Sequence, residues 1–151
     1  MQTLLVGLVV TVFAAHPAAS SEETAVMLPV RQFVDAFNKG DVKATTAVCS
    51  DITSIIDEFT PYEWHGAGTC TTWLHAYVAD AKKNGITDGV VTLGTPQHVD
   101  IEAEHAYVVV PADYVFKMKG KAVKESGSLI TISLRKSAAG WRMTAWAWGK
   151  H

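Results

Sequence analysis

Apolar residues recur every three or four positions near the start of the chain. Val26, Val30, Phe33, Val34 and Phe37 share one helical face. Ser20-x-x-Glu23 has the spacing of a capping box that opens this helix. Pro29 belongs in a first turn, which moves the regular part of the helix to about Leu28. Gly40 stops it, and Asp41 caps a short second helix through Val48. The β-branched, apolar run 53–59 predicts a short strand carrying Asp57. Gly66-Ala67-Gly68 breaks the chain. A third helix follows from about residue 69 to 83, with Trp73, Leu74, Tyr77, Val78 and Ala81 on one side and Gly85 as its stop. Beyond Gly85 the period changes from 3.6 to 2 and stays there. "GVVTLGTPQHVDIE", "HAYVVVPADYVFKMK", "KAVKESGSLITISLRK" and "GWRMTAWAWGK" read as four long strands. Pro96 and Pro111 fall where bulges would bend strands, and Lys119-Gly120-Lys121 and Ala138-Ala139-Gly140 make the turns.

Helices first and then a long curved sheet define an α+β domain. The expected shape is a cone: three N-terminal helices packed against a mainly antiparallel sheet of one short and four long strands. At 151 residues the chain is one domain, with 48% hydrophobic and 19% charged residues, a globular composition. The formal net charge is −2, with no cluster of Lys and Arg, so nucleic acid is not an expected partner. "LLVGLVVTVFAA" (4–15) is a 12-residue apolar run followed by small residues up to Ser20. It reads as a signal peptide over 1–20, cut after Ser20, which leaves a folded domain over 21–151 with no stable membrane anchor. The expected location is therefore exported, periplasmic or secreted. Cys49 and Cys70 form an even pair in such a chain. They are either bridged around Asp57 or two buried free thiols.

The pattern "FVDAFNKGDVKATTAVCSD…IIDEF…WHGAGTCTTWL", followed by strands ending "GWRMTAWAW", resembles the nuclear-transport-factor-2-like superfamily, which includes SnoaL-like cyclases and ketosteroid isomerase. The resemblance runs from Val26 to the C-terminus. It implies the cone fold, and the superfamily hosts enzymes, binding modules and dimerisation domains. Counted from Gly40-Asp41, Asp57 falls where ketosteroid isomerase carries its catalytic aspartate, so the resemblance implies a general base pointing into the cone. The same register puts Phe33 at the position of the isomerase's oxyanion-stabilising tyrosine, and 129–134, "LITISL", contains no acid. Read from the residues alone, strand alternation puts Asp57 on one face with Ile55 and Phe59. A carboxylate there must be hydrogen-bonded or titrate high.

Tyr107, Tyr114 and His98 are the candidate partners of Asp57. Phe33, Phe59, Trp64, Trp73, Trp146 and Trp148 are the candidate ligand-binding residues. On the last strand Arg142, Thr144, Trp146 and Trp148 share one face; Trp141, Met143 and Ala145 share the other. One face would line the cone, and the other would pack against a second copy in a homodimer. Glu125, between Val123 and Gly127, reads as an exposed strand residue. His65, Cys70 and His75 do not make a metal site, because Cys70 and His75 are five apart on one helix and no four-ligand set is evident. Gly66-Ala67-Gly68 lacks the βαβ context of a dinucleotide fingerprint, and no cofactor is expected. Three functions fit: a small exported binding protein holding an apolar or aromatic ligand with Asp57 at its polar end, an isomerase, cyclase or dehydratase using Asp57 as base, and a dimeric scaffold whose cone is filled by its own aromatics.

Overall fold

The computed structural model describes residues 20–151; the expected signal peptide, apart from Ser20, lies outside them. The first helix, α1 (Ser21–Asn38), opens on the expected capping box: Ser20 Oγ accepts from the Glu23 backbone N–H and Glu23 accepts from the Ser20 N–H. The regular helix begins here and not near Leu28, with Pro29 inside it. A cut after Ser20 would remove this cap. α2 (Val42–Ala47) is capped by Asp41, whose side chain accepts from the Ala44 N–H. β1 (Cys49–Ile56) starts earlier than expected and ends one residue before Asp57. β2 (Glu63–Ala67), read from sequence only as a break, pairs antiparallel with β1. α3 (Thr69–Asn84) ends at Gly85 in the left-handed conformation. Its apolar side is narrower than expected, since Val78 faces solvent.

The sheet continues as β3 (Ile86–Leu93), β4 (His98–Glu102), β5 (His105–Met118), β6 (Lys121–Ser137) and β7 (Gly140–Gly149). The order is β2-β1-β7-β6-β5-β3, with β4 also on β5 and every pair antiparallel except β1 with β7. The first expected long strand is thus two strands. Gly94 and Gln97, in the link between them, donate to Pro111 O and Val109 O. Pro96 lies in this link, and Pro111 lies opposite it in regular register with Leu129, so neither marks a bulge. The β5–β6 turn has positive φ at both Lys119 and Gly120, which matches the right-handed strand twist.

Three irregularities curve the sheet over the helices. On β3 the register with β5 shifts between Thr87 and Val90, around Asp88 at φ 55° and Gly89. On β6 Ser126 and Gly127 oppose the single Asp113 of β5, with Gly127 at φ 78°. On β7 Thr144 is an extra residue opposite the step from Ser133 to Leu134, and its hydroxyl donates to Ser133 O. Each bulge inverts the alternation beyond it. This corrects the face assignment of β7: Trp141, Met143 and Trp146 are all buried, Trp148 is half-buried on the same side, and Arg142 and Thr144 point away.

The core lies between the concave face and the helices, with Val26, Val30, Val108, Val110, Ile132, Leu134 and Met143 almost fully buried. Cys49 and Cys70 are joined, tying the start of β1 to the first turn of α3. A closure over 21 residues stabilises by about 3 kcal/mol through the unfolded chain. Asn38 accepts from the Val91 N–H and donates to Val91 O, both at 2.8 Å. One side chain thereby continues the hydrogen-bonding of edge strand β3 and anchors α1 to it.

Candidate functional site

Asp57 begins the connection between β1 and β2. Its N–H donates to Tyr62 O at 3.1 Å, and Tyr62 N–H donates to Phe59 O, which folds the connection back on itself. The carboxylate is gripped twice. Oδ1 accepts from the Glu58 N–H at 2.7 Å and Oδ2 accepts from Trp73 Nε1 at 2.8 Å. Trp73 is fixed in turn by aromatic neighbours, edge-on to Trp146 at 4.8 Å and tilted against Phe33 at 5.7 Å. Such ring pairs add about 1 kcal/mol each beyond simple burial.

These groups lie on the wall of a cavity of about 350 Å³ between the helices and the concave face. Of the residues singled out from sequence, Phe33, Asp57, Phe59, Trp73, Tyr114, Trp146 and Trp148 all line it. The other three do not. Tyr107 is 45% exposed on the outer face of β5, and His98 stands beside it, paired with Asp100 at 2.8 Å. Both strands alternate, and these two side chains fall on the outward parity. Trp64 is buried behind Phe59, 5.0 Å away, and lines a separate cleft with His65. Tyr107 and His98 are therefore not partners of Asp57. Among the described residues no cluster of His, Cys, Asp and Glu could hold a metal ion.

Glu58, Tyr77, Glu125 and Lys150, which the sequence did not assign to the pocket, also line the cavity. Tyr77 lies one helical turn beyond Trp73 and shares a 2.7 Å hydroxyl–hydroxyl bond with Tyr114. Gly89 makes room for this pair, because a Cβ there would stand 2.8 Å from Tyr114 Oη. Glu125, expected to face solvent, is turned inward by the Gly127 bulge; its side chain is only 14% exposed. The signal was Ser126-Gly127 within a strand pattern. Lys150 bridges Glu125 at 2.5 Å and Glu58 at 2.8 Å. Nothing in the sequence spacing tied these three together.

Burial raises the Asp57 carboxyl from 3.8 to about 6, against the lowering effect of its two hydrogen bonds and with a smaller upward push from the charges of Glu58 and Glu125. Burial likewise raises Glu58 and Tyr77, and raises Tyr114 strongly. The hydrogen bond to Glu125, then that to Glu58, holds the Lys150 ammonium above its usual range. The folded state thus binds the Asp57 proton more tightly than the unfolded chain does. The protonated form stabilises the fold below about pH 4, and that contribution is lost as pH rises to about 6. At neutral pH the ionised carboxylate costs at most about 3 kcal/mol. Asp57→Asn keeps an acceptor for Trp73 without the charge. It is expected to raise unfolding stability at pH 8 by roughly 1–3 kcal/mol and to leave it unchanged near pH 4, measured by urea denaturation at both pH values. Equal effects at both pH values would refute the buried-charge account.

Residues 26–147 match the sequence profile of the SnoaL-like domain. No curated protein matches the sequence. Among solved structures, a ketosteroid isomerase-like protein from Erwinia carotovora atroseptica SCRI1043 superposes with a TM-score of 0.67 at 19% identity, over 87% of this chain and 98% of that one. An NTF2-like protein with a cystatin-like fold from Novosphingobium aromaticivorans superposes with a TM-score of 0.67 at 13% identity, over 84% and 80%. An NTF2-like protein of unknown function from Pseudomonas putida KT2440 gives 0.67 at 12% identity, over 87% of each chain. Identities this low show a common fold, one that serves ligand binding in some proteins and catalysis in others. With its cone, its curved sheet and a profile match over most of its length, the chain belongs to the SnoaL-like domain family, within the NTF2-like fold.

Proposed function

We propose that the cone takes one small, largely apolar or aromatic molecule whose polar end meets Asp57. One observation carries this reading: an aromatic-walled cavity of about 350 Å³ has, on its wall, a carboxylate held by the Trp73 indole. That volume falls within the range of small-molecule sites. A carboxylate can accept at about four lone-pair positions, and Asp57 has one donor on each oxygen. Acceptor capacity remains for a ligand hydroxyl or amine. The Cys49–Cys70 bridge supports an exported location, because disulfides persist in oxidising compartments. Titrating ¹⁵N-labelled protein with 2-naphthylmethanol tests the pocket. The indole N–H signals of Trp73, Trp146 and Trp148 are expected to move, and those of Trp64 and Trp141 to stay. A cone closed by its own side chains would move none of them.

A second reading, proton transfer beside a carbonyl, is favoured by the position of the Asp57 carboxyl at about 6, where a base is ionised yet still basic. Phe33 has no donor for a developing oxyanion, so the Tyr77–Tyr114 hydroxyl pair would have to supply it. Such an enzyme would exchange the α-hydrogens of 2-tetralone with D₂O faster than buffer does, with a rate that rises through pH 6. Asp57→Asn would abolish the excess rate; a variant retaining it would exclude Asp57 as the base.

The outer face of the sheet leaves Tyr107, Val115 and Leu129 exposed, which supports that face as the contact between two copies. Sedimentation equilibrium would then give twice the chain mass, and a monomer at millimolar concentration would end the idea.

A further inference from the structure

The titratable groups lining the cavity are unbalanced in charge. Asp57, Glu58, Asp80 and Glu125 face one cation, Lys150, among the described residues. Lys150 is already committed to Glu58 and Glu125. The structure therefore seats a primary ammonium between two carboxylates at this site and still leaves negative charge uncompensated. Glu125 Oε2 is occluded and has no hydrogen-bond partner. Asp57 is bonded only by neutral N–H donors, and Asp80 is bonded by the neutral amide of Asn84. A buried carboxylate without a compensating cation is costly. Beside these carboxylates the lining includes Trp73, Tyr77, Tyr114, Trp146 and Trp148, whose ring faces attract cations and whose bodies are apolar. Trp146 is 6% exposed and its Nε1 has no partner, as is true of Trp148 Nε1. Both indoles line the cavity.

We infer that the ligand of this cavity is an organic cation: an ammonium group on an apolar or aromatic body, its charge meeting the Asp57, Glu58 and Glu125 carboxylates and its body lying against the indoles. The inference rests on the reading of the cone as a small-molecule pocket and adds the charge class. Carboxylates select against anions by direct repulsion, and neutral molecules leave the charge uncompensated.

Three probes of one shape and three charges separate the cases: 2-(aminomethyl)naphthalene, 2-naphthylmethanol and 2-naphthoate, titrated calorimetrically at pH 7.5. The amine is expected to bind at least tenfold more tightly than the alcohol, and naphthoate most weakly. In Glu125→Gln the ratio of amine affinity to alcohol affinity should fall several-fold. Equal affinity for amine and alcohol would overturn the cation inference and leave the pocket reading standing. Tighter binding of naphthoate would overturn it too, by showing that Lys150 selects the charge. Binding of none of the three would overturn the pocket and the inference together. If Glu125→Gln loses alcohol binding through misfolding, raising the salt concentration on the native protein replaces it. Screening should then reduce the amine's advantage, modestly because the carboxylates are buried, and spare the alcohol; an advantage that grew with salt would overturn the inference.

Discussion

The whole cone depends on one geometric conflict, between strict two-residue alternation and a sheet that must curve. A flat sheet of this length would either expose its apolar face or leave the helices without a concave surface to fill. Curvature enters at Gly89, at Ser126-Gly127 and at Thr144, each placed where the paired strands fall out of register. Each also decides chemistry. Gly89 leaves space for the hydroxyls of Tyr77 and Tyr114. The Gly127 bulge brings Glu125 inside, and Thr144 brings Trp146 and Trp148 onto the same side as Met143. The bends that shape the container select the groups that line it.

Within the container, the Trp73–Asp57 hydrogen bond connects the two halves of the fold. α3 is held by the Cys49–Cys70 bridge at its first turn and by Trp73 one turn later, so its position relative to β1 is defined at two points. Asp57 lies just past the end of β1, where the chain can offer its own N–H groups to a carboxylate. The ring contacts of Trp73 with Phe33, Phe37 and Trp146 make this donor rigid. Keeping a raised carboxyl in place costs stability, and the surrounding aromatic packing offsets it. Stability surrendered at one polar group inside an otherwise apolar core is a common mark of a site kept for binding or chemistry.

Local patterns in the chain suffice for the helix caps and stops, though not for the start of α1, which lies about two turns before Leu28. The capping box at Ser20, the cap at Asp41 and the left-handed stop at Gly85 act over three or four residues, and all three appear in the structure. Much of the inward set is also legible: Phe33, Trp73 and Tyr114 follow from periodicity once the elements are known. Two departures share one cause: strict alternation carried through an irregularity reverses every side chain beyond it, which separates Trp146 and Trp148 from Arg142 and turns Glu125 inward. Tyr107 and His98 were misplaced for a different reason. Polar aromatic residues suit either face of a sheet, so their chemistry gave no direction.

The sequence by itself determined the class of the domain, the order of its helices and long strands, the pairing partners available to its two cysteines and the presence of a carboxylate among large apolar groups. These depend on spacing and composition within short windows. Only the tertiary structure decided that Asp57 is held by Trp73, sixteen residues away, and that Lys150 stands between Glu58 and Glu125. It also decided that Asn38 completes the edge at Val91, fifty-three residues distant. Such contacts depend on the register of strands far apart in the chain, and register is set by bulges whose effects sum over the whole sheet.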